Sequence, residues 1–176
     1  MFTLPWQIHI IDITYNFCRR IIDNEEQETS LAEAFRNLIF APENRRGYAE
    51  VLERLGFHEN SVYTVIAVNI GGSKSAAEQL RKTDSSLWHM LKHSRSASAM
   101  FYQDGNLITV RQNISNDEMR RLISDISQLE YDVKFNIGIG ESGSGYSTVS
   151  KCYNQAVSAL SVAKINEDKV VQYKNI

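Results

Sequence analysis

The residues best suited to chemistry by type and spacing lie in one stretch, Gly138-Ile139-Gly140-Glu141-Ser142-Gly143-Ser144-Gly145. An alternating apolar segment (Val133, Phe135, Ile137, Ile139) precedes it, and a helix-like run from about Ser147 follows. Gly138-x-Gly140-x-x-Gly143 has the spacing of a dinucleotide fingerprint, in which glycines let main-chain amides and a helix N-terminus approach a pyrophosphate. Three details oppose that chemistry. The first two glycines belong to the strand, the helix starts about four residues after the third, and the acidic pair Glu167-Asp168 precedes the last strand instead of ending it. A simpler anion or nucleotide site remains, with Gly140, Ser142, Gly143, Ser144 and Ser147 as candidate ligand-binding residues. The competing reading is a plain connector with Ser147 as helix N-cap.

Other reactive side chains form no constellation. His89 and His93 have the i,i+4 spacing of metal ligands, but no glutamate follows the first histidine and no third ligand suggests itself, so no metal site is assigned. His9 and His58 are isolated. Cys18 and Cys152 have no CxxC spacing and no neighbouring base, which points to reduced thiols. No catalytic residue and no cofactor is expected.

Composition narrows the class. The 176 residues, 43% hydrophobic and 23% charged, are those of an ordinary globular protein. A net charge of -2 gives no electrostatic basis for holding nucleic acid, and the arginine pairs 19/20, 45/46 and 120/121 are scattered. With no membrane-length apolar run and no signal peptide, a soluble, cytoplasmic protein with no membrane partner is expected.

The elements that must position the stretch read as follows. Residues 1–13 carry a short strand-like segment (Ile8, Ile10, Ile11) with no neighbouring strand, and resemble the tail of a preceding domain. Residues 14–56 read as a helical linker. From Thr14 to Phe40 there is neither glycine nor proline, and Phe17, Ile21, Asn24, Glu28, Leu31, Phe35 and Leu38 recur at 4,3 spacing. That is the seam of a dimerising helix. Two amphipathic helices folded on their own chain, the second capped by Ser30 with Glu33, fit the pattern equally. A further helix around Tyr48–Leu55 closes at Gly56. Residues 57–176 then give a strand at Val62–Ile70 and a helix from Ser75 to about His93. Strands Ala97–Tyr102 and Leu107–Arg111 follow, joined through Asp104-Gly105. A helix capped by Ser115 with Glu118 leads to the strand ending at Ile139, the helix from Ser147, and a last strand Val170–Tyr173. The order β-α-β-β-α-β-α-β predicts an α+β, ferredoxin-like antiparallel sheet with helices, preceded by a long N-terminal helical segment.

That order, with its central hairpin, resembles the palm of diguanylate cyclases. Those enzymes carry GG(D/E)EF on the hairpin and a metal-binding aspartate at the end of the first strand, because paired carboxylates must hold divalent cations against phosphate oxygens. Here the first place reads Asn69-Ile70-Gly71 and the hairpin Gln103-Asp104-Gly105-Asn106, with Asp104 the only acid. A closer resemblance is to the degenerate, GGDEF-like domain of PucR/CdaR-type bacterial transcriptional regulators. It rests on Gly138-Ile139-Gly140 before the serine-rich loop, Tyr153-x-x-Ala156-x-x-Ala159-Leu160-x-x-Ala163, and Val170-Val171-x-Tyr173. Leu4-Pro5-Trp6 and Ile10-Ile11-Asp12-Ile13-Thr14 are similar to the end of the family's sensory domain. The resemblance implies a homodimeric relay of an effector signal, with DNA contacted only by a helix-turn-helix domain beyond Ile176.

Overall fold

The computed structural model describes residues 25–41, 45–70, 86–92, 96, 98–128 and 135–176. The elements are helix α1 (25–40), α2 (Arg45–Arg54), strand β1 (Val62–Ile70), α3 (Ser86–Lys92), β2 (Ser98–Gln103), β3 (Asn106–Gln112), α4 (Asn116–Gln128), β4 (Phe135–Ile139), the two-residue β5 (Gly143–Ser144), α5 (Val149–Asn166) and β6 (Val170–Gln172). The sheet order is β2-β3-β1-β4-β6, with β5 also pairing β1. All pairings are antiparallel except β4 with β6, which the α5 crossover makes parallel. This is the expected mixed α+β palm, with a mixed rather than purely antiparallel sheet.

β1 lies at the centre and is buried on both faces, which explains its unbroken β-branched run. Tyr63, Val65 and Ala67 point into one core, with Ala99, Phe101, Ile108 and Val110 of the neighbouring strands. α1, α2 and α5 cover that face. Ile66, Val68 and Ile70 point into the other, closed by Leu87 and Leu91 of α3 and by Leu122 and Ile126 of α4. The two split-βαβ helices thus share one face, and the later α5 takes the opposite one.

The N-terminal helix is continuous where it is described, as the single-helix reading expects, but part of its seam is covered by its own chain. α1 runs through Ser30 without interruption, so Ser30 is not a helix cap. Phe35 and Leu38 are 0% and 1% exposed, packed with Ala34 and Ile39 into the core of their own chain, and Leu31 lies against that core. Phe35 meets Phe57 and Tyr63 edge-on at ring separations of 5.1 and 6.0 Å. The seam positions Phe35 and Leu38 therefore face the sheet. Phe17, Ile21 and Asn24 lie outside the described residues, as do Cys18, the strand-like segment in 1–13, the start of the helix expected from Ser75, His93 and Val133. Packing is also continuous across the expected 56/57 boundary, since Leu52 of α2 and Phe57 belong to the same cluster as β1.

The Ser115 cap is present, its hydroxyl accepting the Glu118 amide at 3.1 Å. The Glu118 carboxylate accepts from the Ser96 amide and hydroxyl at 3.2 and 3.0 Å, and so ties α4 to the connection before β2.

Candidate functional site

Two places could carry chemistry: the hairpin end of β1 and the serine-glycine loop. At the hairpin, Asp104 (φ 50°) and Gly105 (φ 76°) make a tight turn with both residues left-handed, the geometry that Asp-Gly favours. The turn brings Asn106, first residue of β3, beside Asn69, next to last in β1. Asn69 Nδ2 donates to Asn106 Oδ1 at 2.9 Å, and Asn106 Nδ2 donates to the Asp104 carbonyl at 3.4 Å. Two neutral amides thus satisfy each other where two carboxylates would be needed to hold cations. Asp104 itself is exposed on the turn. Among the described residues no cluster of three or more His, Cys, Asp or Glu side chains could hold a metal ion. His89 is exposed on α3.

The glycine-rich stretch is organised around α5. Along β4, Phe135, Ile137 and Ile139 face the α3/α4 core, so the alternate positions Asn136, Gly138 and Gly140 lie beneath α5. A Cβ at Gly138 would collide with the Ala156 carbonyl and the Leu160 amide, and one at Gly140 with the Cys152 carbonyl. The helix answers with small buried residues, Cys152, Ala156, Ala159 and Ala163. At its far end Asn136 Nδ2 donates to the Ala163 and Asp168 carbonyls at 3.3 and 2.8 Å, closing the helix where Glu167 turns left-handed (φ 57°). The first two glycines of the fingerprint-like spacing bring helix and strand backbones together.

Around the remaining candidate ligand residues the main-chain amides are bonded internally, while Ser142, Ser144 and Ser147 are exposed. Gly140 N donates to Val65 O at 3.0 Å, Glu141 N to Gln155 Oε1 at 3.2 Å and Gly145 N to Ser61 O at 2.9 Å. Gly143 and Ser144 pair with Tyr63 and Val62 as β5, regular structure that the sequence did not announce. The Ser142 and Thr64 hydroxyls lie 2.7 Å apart. Ser147 is exposed but is not the N-cap. A 3₁₀ turn over Tyr146–Thr148 precedes α5, and the Thr148 amide and hydroxyl both bond Gly145 O at 3.1 and 2.8 Å. These bonds tie the loop to β1 and α5.

Two polar groupings escaped the sequence reading, one joining the buried Tyr63 and Tyr146 to exposed groups around Glu53 and one wholly enclosed. Tyr63 donates to His58 O at 2.8 Å and Tyr146 to Phe57 O at 2.5 Å, while the Glu53 carboxylate meets His58 Nδ1 and the Glu59 amide, both at 2.7 Å. Burial pushes both phenols well above their usual range. The hydrogen bonds from His58 and the Glu59 amide hold Glu53 below the usual carboxylate range. The second grouping centres on Arg111 of β3, which is fully buried and donates through Nη2 to the carbonyls of Met90 (3.2 Å) and Leu91 in the last turn of α3. Burial pulls its pKa down to about 10 against the opposing charge of Glu118, so it is protonated at neutral pH. Both groupings fasten elements to the sheet.

No helix among the described residues is long and apolar enough to cross a membrane. The fold is similar to that of a regulator of polyketide synthase expression from Bifidobacterium adolescentis, with a TM-score of 0.50 and 14% identity over 78% of this chain and 54% of that one. The chain thus spans about half the length of that structure. No curated protein matches the sequence at a significant level. Residues 41–162, more than half of the chain, match the GGDEF-like domain. The chain belongs to the GGDEF-like domain family.

Proposed function

We propose that the chain is a non-catalytic regulatory domain of a PucR/CdaR-type bacterial transcriptional regulator, working in the cytoplasm. It relays an effector signal to a helix-turn-helix domain located beyond Ile176 in the whole protein. The observation that carries this reading is the Asn69–Asn106 amide pair, which occupies the place where nucleotide-cyclising chemistry needs carboxylates. The similar fold of a protein described as a regulator of expression supports it.

The relay runs through α1. Its residues 25–30 are exposed, whereas Phe35 and Leu38 are embedded against Phe57, Tyr63 and α5. A change in how the chain preceding α1 associates between two protomers, at Phe17, Ile21 and Asn24, is thereby coupled to the sheet. Two measurements test the reading. Incubation with GTP or ATP and magnesium or manganese is expected to give no turnover; metal-dependent turnover abolished by Asp104→Ala overturns it. Sedimentation at high concentration is expected to show a dimer that Ile21→Asp dissociates; a monomer at all concentrations removes the relay.

A further inference from the structure

Among the described residues β2 is the outermost strand on its side of the sheet and pairs with β3 alone. The left-handed Asp104-Gly105 turn closes the Gln103/Asn106 pair. Antiparallel alternation then directs the main-chain groups of Gln103, Phe101 and Ala99 towards β3, and those of Tyr102, Met100 and Ser98 outward. Arg36 of α1 answers the outward carbonyl of Tyr102 at 3.2 Å, with its guanidinium 5.3 Å from the Phe101 ring centre. Among the described residues nothing answers the outward main chain of Met100. Between α1 and this edge runs a groove of about 600 Å³. Its helical wall carries Glu25, Glu28 and Glu33 beside Arg36. Glu28 is paired with Lys92 at 2.9 Å, while Glu25 and Glu33 form no ion pair among the described residues.

We propose that this groove binds an extended, lysine- or arginine-bearing segment of a partner protein, which adds to β2 as a further strand. A strand edge flanked by a helix supplies both halves of such recognition. Main-chain bonds to Met100 and Ser98 provide affinity, and alternate side chains reaching the helix provide selectivity. The acidic wall sets the sign of those side chains. The same wall disfavours a second copy of this chain, because pairing two β2 edges would bring two glutamate-bearing α1 helices together. Arg36 guards one end of the edge without closing it, as edge strands in soluble proteins commonly require.

The test uses the 176-residue chain and a short acetylated peptide alternating valine and lysine, with fluorescence anisotropy for affinity and amide hydrogen exchange for position. Binding is expected at low salt, slowing exchange at Met100 and Ser98 by about tenfold or more at saturation. A valine–glutamate peptide is expected to bind at least about tenfold more weakly, and Glu25→Lys with Glu33→Lys to reverse that preference. N-methylation of the peptide on alternate residues should abolish binding in one register and spare it in the other. Equal binding of acidic and basic peptides, indifference to N-methyl register, or unchanged exchange at Met100 would each overturn the proposal. So would protection of Met100 that grows with protein concentration in the absence of peptide, which assigns the edge to a second copy.

Discussion

The Asn69 and Asn106 side chains are hydrogen-bonded to each other, 37 residues apart in sequence, across the end of β1 and the start of β3. A neutral amide pair of this kind fixes the hairpin against the central strand without requiring a cation. Asn69→Ala and Asn106→Ala are each expected to destabilise the domain by about 1 kcal/mol. The double variant should cost less than the sum by about 0.5 kcal/mol or more, because the second change removes a partner already lost. Urea denaturation of the four proteins measures this, and strict additivity would show that the contact holds nothing.

The contact between β4 and α5 sets a sharper expectation. Gly138→Ala places a methyl group against the Ala156 carbonyl and the Leu160 amide, both main-chain atoms that cannot rotate away. Overpacking of this kind costs about 3 kcal/mol. Gly47 in α2 is the control, since a Cβ there meets nothing within 4 Å. Gly47→Ala should stabilise by about 0.5 kcal/mol or more through helix propensity and a less flexible unfolded chain. Opposite shifts in thermal midpoint for the two substitutions are the expected result.

These particulars separate what local pattern reveals from what it does not. β1 was legible from its β-branched run, and the β2–β3 hairpin from Asp104-Gly105, because both signals are local. The spacing of Phe35 and Leu38 marked an apolar face correctly, but periodicity does not say which surface covers that face, and here it is the chain's own sheet. Gly138-x-Gly140 was ambiguous for a related reason: a missing Cβ serves a phosphate or a helix equally well. β5 is two residues long and leaves no pattern at all. Arg111 reads as an ordinary strand-end cation, although a helix that ends near Lys92 without glycine was a hint that its carbonyls needed another partner.

The tyrosine pair predicts alkaline sensitivity. Tyr63 and Tyr146, with ring centres 5.7 Å apart, are buried and neutral, and their folded-state pKa values are raised above the unfolded value of 10. Their stabilising contribution is complete below that value. Above it, the unfolded chain releases protons that the folded chain retains, so stability falls as pH rises. Tyr146→Phe should cost about 1 kcal/mol at neutral pH through the lost bond to Phe57 O, and should flatten the decline above pH 10. An unchanged alkaline slope would contradict the assignment.

Glu53 acts at the other end of the pH scale. Its lowered pKa means that the ionised carboxylate is the form favoured by folding. The contribution is therefore present above the ordinary carboxylate value and disappears as pH falls through the folded one. Glu53→Gln should be less stable than the unaltered protein at neutral pH, with the two converging on acidification. Stability curves that stay parallel down to acid unfolding would show that His58 and the Glu59 amide do not favour the charged form.

Arg111 is the element whose loss should be felt most locally. Its guanidinium supplies the C-terminal cap of α3, donating to the Met90 and Leu91 carbonyls from a strand on the same core. Arg111→Met keeps much of the volume but leaves carbonyls without a charged donor in an enclosed space, at a cost of about 3 kcal/mol. Arg111→Lys should restore only part, because a single ammonium on a shorter reach does not reproduce the guanidinium fork. Amide exchange gives the discriminating readout. Protection in Leu87–Lys92 should drop more than protection in β1, whose ladder partners on both sides are intact. A uniform loss across the sheet would instead mark Arg111 as a general core residue.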